Sequence, residues 1–215
     1  YNNIDIEAAR ARGITVCNIP AYSTERVAHT AIMMILNLSS SMQIQQAMLA
    51  RGDRSNFTKC MQVSHVEVNG KVLGVVGAGT IGREVIKVAQ ALGMKVLAYT
   101  RTPRADEDNL KYVSLEELLK QSDYISLHCP LTPQTRHMIN KETIAMMKPT
   151  AYIINTGRGA LIDEPALIEA LKEGRIAGAG LDVQETEPPV QDNPLYDMPN
   201  VILTPHMGWK GLETR

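Results

Sequence analysis

Aromatic residues are scarce: one Trp, one Phe and seven Tyr make up 4% of 215 residues. So few rings leave little to stack the bases of a single strand, which argues against a nucleic-acid module of that kind. An excess of one charge is lacking as well. With 22 Lys and Arg against 23 Asp and Glu, the formal net charge is −1. That leaves no general basic surface for nucleic acid and no polybasic cluster for a membrane. The longest apolar stretches fall far short of a bilayer span. Cysteine is limited to Cys17, Cys60 and Cys129. They are odd in number and widely spaced, form no metal-ligand pattern, and as free thiols fit a reducing cytoplasm. What remains is a chain long enough to bury one large core or two small ones.

Its organisation follows from the rhythm of apolar residues. Residues 5–12 carry a short helical pattern stopped at Gly13, and "ITVCNIP" (14–20) reads as a strand ended by Pro20. Ser23 or Thr24 can cap a helix running to Leu38. That helix is apolar nearly all round, which predicts burial within this domain or against another chain. From Lys71 onward, strand and helix patterns alternate. Strands are expected at "KVLGVVGAG", "MKVLAYT", "DYISLHCP", "TAYIINT", "IAGAGLDV" and "VILTP", with helices between them. Such alternation implies right-handed crossovers and an α/β fold with a doubly wound parallel sheet. Residues 1–20 read as if entered mid-domain, and "GWKGLETR" reads as the first turns of a helix, so sequence is expected beyond both ends.

Gly77-Ala78-Gly79-Thr80-Ile81-Gly82 is a G-x-G-x-x-G directly after an apolar strand and at the start of an amphipathic helix. In that context the glycines permit a tight turn, close approach of a pyrophosphate and tight helix–strand packing, while the helix N-terminus offers free N–H groups to the anion. The competing reading is a structural glycine turn.

Ligands of such folds sit beyond the carboxyl ends of the strands. Three strand ends there carry chemistry. "AYIINTGRGALIDE" places Arg158 between Gly157 and Gly159, and its planar fork of donors suits a carboxylate. "GLDVQETEP" supplies Asp182, Glu185 and Glu187, and "VILTPHMGW" supplies His206. A histidine is a natural proton donor near neutral pH, and a neighbouring carboxylate would orient it and favour its protonated form. Singly, each residue could be a loop arginine bonded to carbonyls, a solvated acid or a partly buried polar residue; together on one rim they point to a site.

The stretches "GAGTIGREV", "SLHCPLTPQTRHMIN", "AYIINTGRGALIDE", "GLDVQETEP" and "NVILTPH" resemble, in order and spacing, the D-2-hydroxyacid dehydrogenases, and "NIPAYSTERVAH" with "TPHMGW" is most similar to their glycerate dehydrogenase (hydroxypyruvate reductase) branch. The resemblance covers essentially the whole chain. It implies an Arg/Glu/His catalytic set at Arg158, Glu187 and His206. It also implies nicotinamide and ribose contacts from Cys129, Pro130, Thr132, Thr156, Gly157, Asp182, His206 and Gly208, beside the pyrophosphate contacts at Gly77, Gly79, Thr80, Ile81 and Gly82. The family has a second, flavodoxin-like substrate domain built from both ends of the chain. Residues 1–20 would be its last fragment here, and residues 21–215 the dinucleotide-binding domain with a long interdomain helix at 24–38, through which the family forms dimers.

The implied reaction is hydride transfer between NAD or NADP and a small 2-hydroxy or 2-keto acid, glycerate/hydroxypyruvate or glyoxylate first. Phosphoglycerate, D-lactate and formate are alternative substrates within the family, and a dinucleotide-sensing corepressor is an alternative use of the scaffold. One departure bears on the cofactor. The second strand usually ends in an acid that binds the ribose 2′-hydroxyl. Here it ends in "YTRTPR", so Thr100, Arg101 and Arg104 favour the 2′-phosphate of NADP, unless those arginines merely pair with Asp106, Glu107 and Asp108.

Overall fold

The apolar runs of the sequence become the strands of a parallel sheet, and the amphipathic stretches become the helices that cover it. The computed structural model describes residues 4–57, 63, 65–102 and 104–214, so Cys60 and Pro103 lie outside the described residues. In chain order the elements are α1 (Ile6–Ala11), α2 (Thr24–Ser39), α3 (Met42–Ala50), β1 (Val72–Val76), α4 (Thr80–Ala91), β2 (Lys95–Tyr99), β3 (Leu110–Tyr112), α5 (Leu115–Gln121), β4 (Tyr124–Leu127), α6 (Lys141–Ile144), β5 (Tyr152–Asn155), α7 (Glu164–Lys172), β6 (Gly178–Leu181) and β7 (Val201–Leu203).

The seven strands pair in the order β3-β2-β1-β4-β5-β6-β7, every pair parallel. Helices α2 and α4 pack with residues of β1, β2 and β5 on one face, and α5, α6 and α7 cover the other. With both faces covered, central strands show unbroken burial: Leu73, Val75, Val76, Ile125, Leu127, Ile153 and Ile154 are all 0% exposed. This is why β1 and β5 read as continuous apolar runs rather than alternating ones. The strand order reverses between β1 and β4, which opens a crevice beyond their carboxyl ends.

Several expectations need correction. The run 14–20 is not a strand; it is irregular, with Ile14 and Ile19 exposed. A β-rich composition reports fit to a pleated neighbour, and among the described residues no strand of the sheet pairs with this run. The sheet gains β3, a three-residue edge strand that carries too little periodicity to be seen in sequence. The close of the chain forms only a short 3₁₀ turn at Leu212–Thr214.

The expected helix 24–38 is present as α2, but Ser23 makes no side-chain capping bond, and the Thr24 hydroxyl donates back to the Ala21 carbonyl at 3.1 Å. Nor does α2 need outside cover. Ala28, Ala31, Met34 and Ile35 are fully buried by this chain's own sheet and α4. Its open side is a mixed stripe of Glu25, His29 and Leu36. The apolar character all round the helix reflects a position between the sheet and α4.

Candidate cofactor and catalytic site

The glycine loop divides its labour by position. Gly77 takes φ +99° directly after β1, and its N–H donates to the Tyr99 carbonyl at 2.9 Å. A Cβ there would lie 2.6 Å from the Cys129 backbone nitrogen. A Cβ on Gly82 would collide with the Gly77 carbonyl oxygen, so only glycine lets α4 pack this closely. Gly79 meets nothing within 4 Å; it faces open space. No side chain caps α4, which leaves the first-turn N–H groups of Thr80, Ile81 and Gly82 without intrahelical partners. A bare backbone cradle before an uncapped helix suits a pyrophosphate.

The corner after β2 is cationic. The Thr100 hydroxyl donates to the Thr102 carbonyl at 2.7 Å. Glu107 is engaged by Arg83 of α4, at 2.8 Å between Nη2 and Oε1, and the same guanidinium reaches the Tyr112 hydroxyl at 3.2 Å. Arg83 holds the Glu107 carboxyl below the usual range, with a smaller contribution from Arg104. Asp106 accepts from the Tyr112 N–H. Among the described residues, Arg101 has no hydrogen bond or ion pair, so the acids of this turn do not neutralise it.

Beyond β4, the Cys129 thiol is turned toward Met138 at 3.6 Å, and burial pushes it up to about 11. Any cofactor contact at Cys129 is therefore a backbone one. The Thr135 hydroxyl donates to the Pro130 carbonyl at 2.7 Å and lies 3.1 Å from the Thr132 hydroxyl, which fixes the Pro130–Thr132 loop. Under it, His128 lies 2.8 Å from the Ser126 hydroxyl, and burial keeps the imidazole neutral, pushed down to about 4.

The loop after β5 is built around Asn155. Its side chain donates to the Arg158 carbonyl at 2.9 Å and accepts from the Gly157 N–H at 3.0 Å. Arg158 is exposed, with Nη1 on the Gly157 carbonyl at 2.8 Å. A Cβ on Gly159 would collide with the Gln184 carbonyl, so this glycine lets the Arg158 loop lie directly on the loop after β6. Thr156 is buried, and its hydroxyl has no hydrogen-bond partner among the described residues. An orphaned buried hydroxyl two residues before Arg158 is what a bound ligand would satisfy.

Asp182 ends β6 almost fully buried, at 2% exposure. Its oxygens accept from the Thr204 hydroxyl at 2.6 Å and from the Met207 and Gly208 N–H groups at 2.8 Å each. The carboxylate therefore acts first as a clamp on the turn that carries His206, a residue held at φ +49°. His206 Nδ1 lies 2.7 Å from Glu187 Oε2, and Glu187 Oε1 accepts from the Gln184 N–H at 3.0 Å. Since β5, β6 and β7 are successive neighbours, the loops bearing Arg158, Glu187 and His206 share one rim.

Residues 32–208 match the family described as D-isomer specific 2-hydroxyacid dehydrogenase, NAD binding domain. The chain belongs to the D-isomer specific 2-hydroxyacid dehydrogenases. It is 45% identical over 219 residues to a hydroxypyruvate reductase of Blautia hydrogenotrophica, covering 100% of this chain and 68% of that protein. It is 44% identical to a glyoxylate reductase of Thermococcus litoralis, covering 100% and 66%. The structure of an Aquifex aeolicus D-lactate dehydrogenase complexed with NAD and lactic acid superposes with TM-score 0.88 at 38% identity, covering 100% and 68%. The chain thus spans about two thirds of the length of these dehydrogenases. Members of the family are oxidoreductases acting on CH–OH donors, and the open Gly79 cradle, uncapped α4 and orphaned Thr156 hydroxyl fit their NAD.

Sequence reasoning about this dehydrogenase missed His137. Its Nε2 lies 2.6 Å from Glu185 Oε1, forming a second histidine–carboxylate pair beside the first. The residue sits in the quoted "TRHMIN", but nothing local in that stretch signals a partner 48 positions away.

Proposed function

We propose that the full-length protein transfers hydride between a nicotinamide dinucleotide and C2 of a small 2-hydroxy or 2-keto acid, with hydroxypyruvate/glycerate or glyoxylate as the preferred substrates. The observation that carries this is the His206–Glu187 pair at 2.7 Å, on the same rim as an exposed arginine and at the same carboxyl edge of the sheet as the glycine cradle. The bound nicotinamide supplies or takes the hydride. In the reducing direction His206 delivers a proton to the developing alkoxide oxygen. Glu187 holds Nδ1 at 2.7 Å, which fixes the orientation of the ring. Arg158 pairs with the substrate carboxylate and polarises the adjacent carbonyl. Thr156, Gly157 and the loop of Cys129, Pro130 and Thr132 face the nicotinamide side, and Asp182 and Gly208 hold the His206 turn. Residues 1–20 read as the end of the substrate domain, and the free thiols Cys17 and Cys129 accord with a cytoplasmic enzyme.

For the cofactor, Thr100, Arg101 and Arg104 favour NADP over NAD, supported by an Arg101 that no acid neutralises. One experiment tests both parts: loss of reduced-cofactor absorbance with hydroxypyruvate, glyoxylate, pyruvate and phosphohydroxypyruvate, each with NADPH and with NADH. Hydroxypyruvate or glyoxylate should lead. NADPH should be ahead by at least about tenfold in kcat/KM, since a charge-assisted contact contributes about 1.5–3 kcal/mol, and Arg101→Ala should remove most of that lead. An NADH preference, or one untouched by the mutation, makes the corner a surface turn.

A homodimer through the region of α2 is part of the same proposal. With most of α2 covered, its support is the apolar residues exposed on and around it, Tyr22, Leu36, Met42, Leu49 and Phe57. Light scattering at micromolar concentration should give twice the chain mass; a monomer mass removes this part.

A further inference from the structure

The His137–Glu185 pair is not touched by any of the roles assigned above, yet it joins three neighbouring loops at the carboxyl edge of the sheet, those after β4, β5 and β6. Through its backbone N–H, His137 donates to the Ala160 carbonyl at 2.8 Å, which ties the loop after β4 to the Arg158 loop. Through its side chain it holds Glu185 at 2.6 Å, which ties both to the loop after β6. Arg136 adds an ion pair to the same Glu185 oxygen at 3.3 Å. His137 does this from φ +49°, a left-handed conformation that a side-chain-bearing residue adopts at a cost and that persists where the surroundings fix it.

The loop so held carries Glu187. The Gln184 N–H, one residue before Glu185, donates to Glu187 Oε1 at 3.0 Å, while Glu187 Oε2 holds His206. The backbone of Glu185 is fixed from behind by Glu164 of α7, whose Oε2 accepts the Glu185 N–H at 3.2 Å. Glu164 Oε1 takes the buried Asn193 side chain at 2.8 Å. Glu187 is thus aimed by a segment gripped on both sides of its turn. The grip on the Glu185 side chain comes from His137 and Arg136, whereas Glu164 holds only the main chain.

We propose that His137 and Glu185 are positioning residues for the reaction: they fix the 184–187 turn so that the Glu187 carboxylate meets His206 Nδ1. This rests on the reading of Glu187 and His206 as the acid–histidine pair of catalysis. The chain then carries two histidine–carboxylate pairs on one loop, one facing the chemistry and one locking the loop to its neighbours. Misplacing a catalytic group by about 1 Å can cost on the order of a hundredfold in rate, so a lock of this kind governs turnover without touching substrate.

The test uses the full-length enzyme. In Glu185→Ala, kcat should fall by about ten- to a hundredfold. Cofactor affinity, read by quenching of protein fluorescence, should stay as in the wild type. The high-pH limb of the reductive profile should move to lower pH, in the same direction as in Glu187→Gln. Glu185→Gln should recover most of the turnover, because its amide oxygen still accepts from His137 Nε2–H. His137→Gln probes the pair from the other side should Glu185→Ala not fold. A wild-type kcat in Glu185→Ala and His137→Gln overturns the proposal. So does a lowered kcat with an unmoved limb, which would make the pair a purely structural tie. If the limb stays in place in Glu187→Gln too, the acid–histidine reading of the site falls and takes this proposal with it. A limb that moves in Glu187→Gln and not in Glu185→Ala removes the positioning role alone.

Discussion

His206→Gln in the full-length enzyme should lower kcat by about 10²–10⁴-fold, the range associated with loss of a positioned general acid, while cofactor affinity stays nearly unchanged. The geometry makes the role specific to one nitrogen. Nδ1 is committed to Glu187 at 2.7 Å, so proton transfer falls to Nε2. The ring is placed from below by Asp182, which holds Met207 N–H, Gly208 N–H and the Thr204 hydroxyl and thereby fixes the turn through which His206 passes at φ +49°. Glutamine can occupy that turn and accept or donate one hydrogen bond, but it cannot titrate. The loss should therefore appear in kcat and kcat/KM alike, the signature of an interaction made in the transition state rather than on binding. The reductive reaction needs the imidazolium, so wild-type activity should fall as pH rises past its titration, and the variant should lose that limb altogether. A His206→Gln enzyme that keeps most of its turnover would remove this residue from the mechanism.

Sequence alone reaches far into this site because each piece has a local cause. The glycine loop is legible since turn, cradle and helix packing are each set within a few residues; Gly77 takes the turn, Gly82 the close packing, and Gly79 faces open space. Arg158, Glu187 and His206 are legible because the carboxyl end of a parallel strand is where ligands bind, and the strands themselves are unmistakable apolar runs. What sequence could not supply is pairing. The His206–Glu187 contact joins two loops, and the local pattern of "QETE" does not tell Glu187, which meets His206, from Glu185, which meets His137; only the family resemblance singles out Glu187. Edge strand β3 and the irregular stretch 14–20 show the same limit in the fold. Whether a short β-rich run becomes a strand depends on a partner elsewhere in the chain. The over-apolar α2 shows it in reverse: its composition reports how much of its surface is buried, and only the fold reveals that the burying surface is this chain's own sheet and α4.

Arg158→Lys should cost at least about tenfold in kcat/KM for the 2-keto acid, with the reduced-cofactor dissociation constant held within about twofold. A charge-assisted hydrogen bond contributes about 1.5–3 kcal/mol, equivalent to roughly 10–150-fold. Arginine presents two such bonds in the plane of a carboxylate, whereas lysine is a point charge without the fork. The structure separates this from a folding effect. Arg158 is tied into the loop mainly through its backbone: Asn155 holds its carbonyl, and Gly159 sits where any Cβ would strike the Gln184 carbonyl. The guanidinium is exposed and bonded only to the adjacent Gly157 carbonyl, a contact that a substrate carboxylate can replace. Substitution by lysine should thus leave the melting temperature within a degree or two, since exposed substitutions shift stability by about 0.5 kcal/mol or less. The loss should fall on KM as well as kcat, because the carboxylate is bound in the ground state and the carbonyl polarised in the transition state. Substrates lacking a carboxylate, such as a simple ketone or aldehyde, should be poor for the wild type and nearly indifferent to the change. An Arg158→Lys enzyme with full activity, or one that loses the same factor on substrates with and without the carboxylate, would show that this arginine does not anchor the acid.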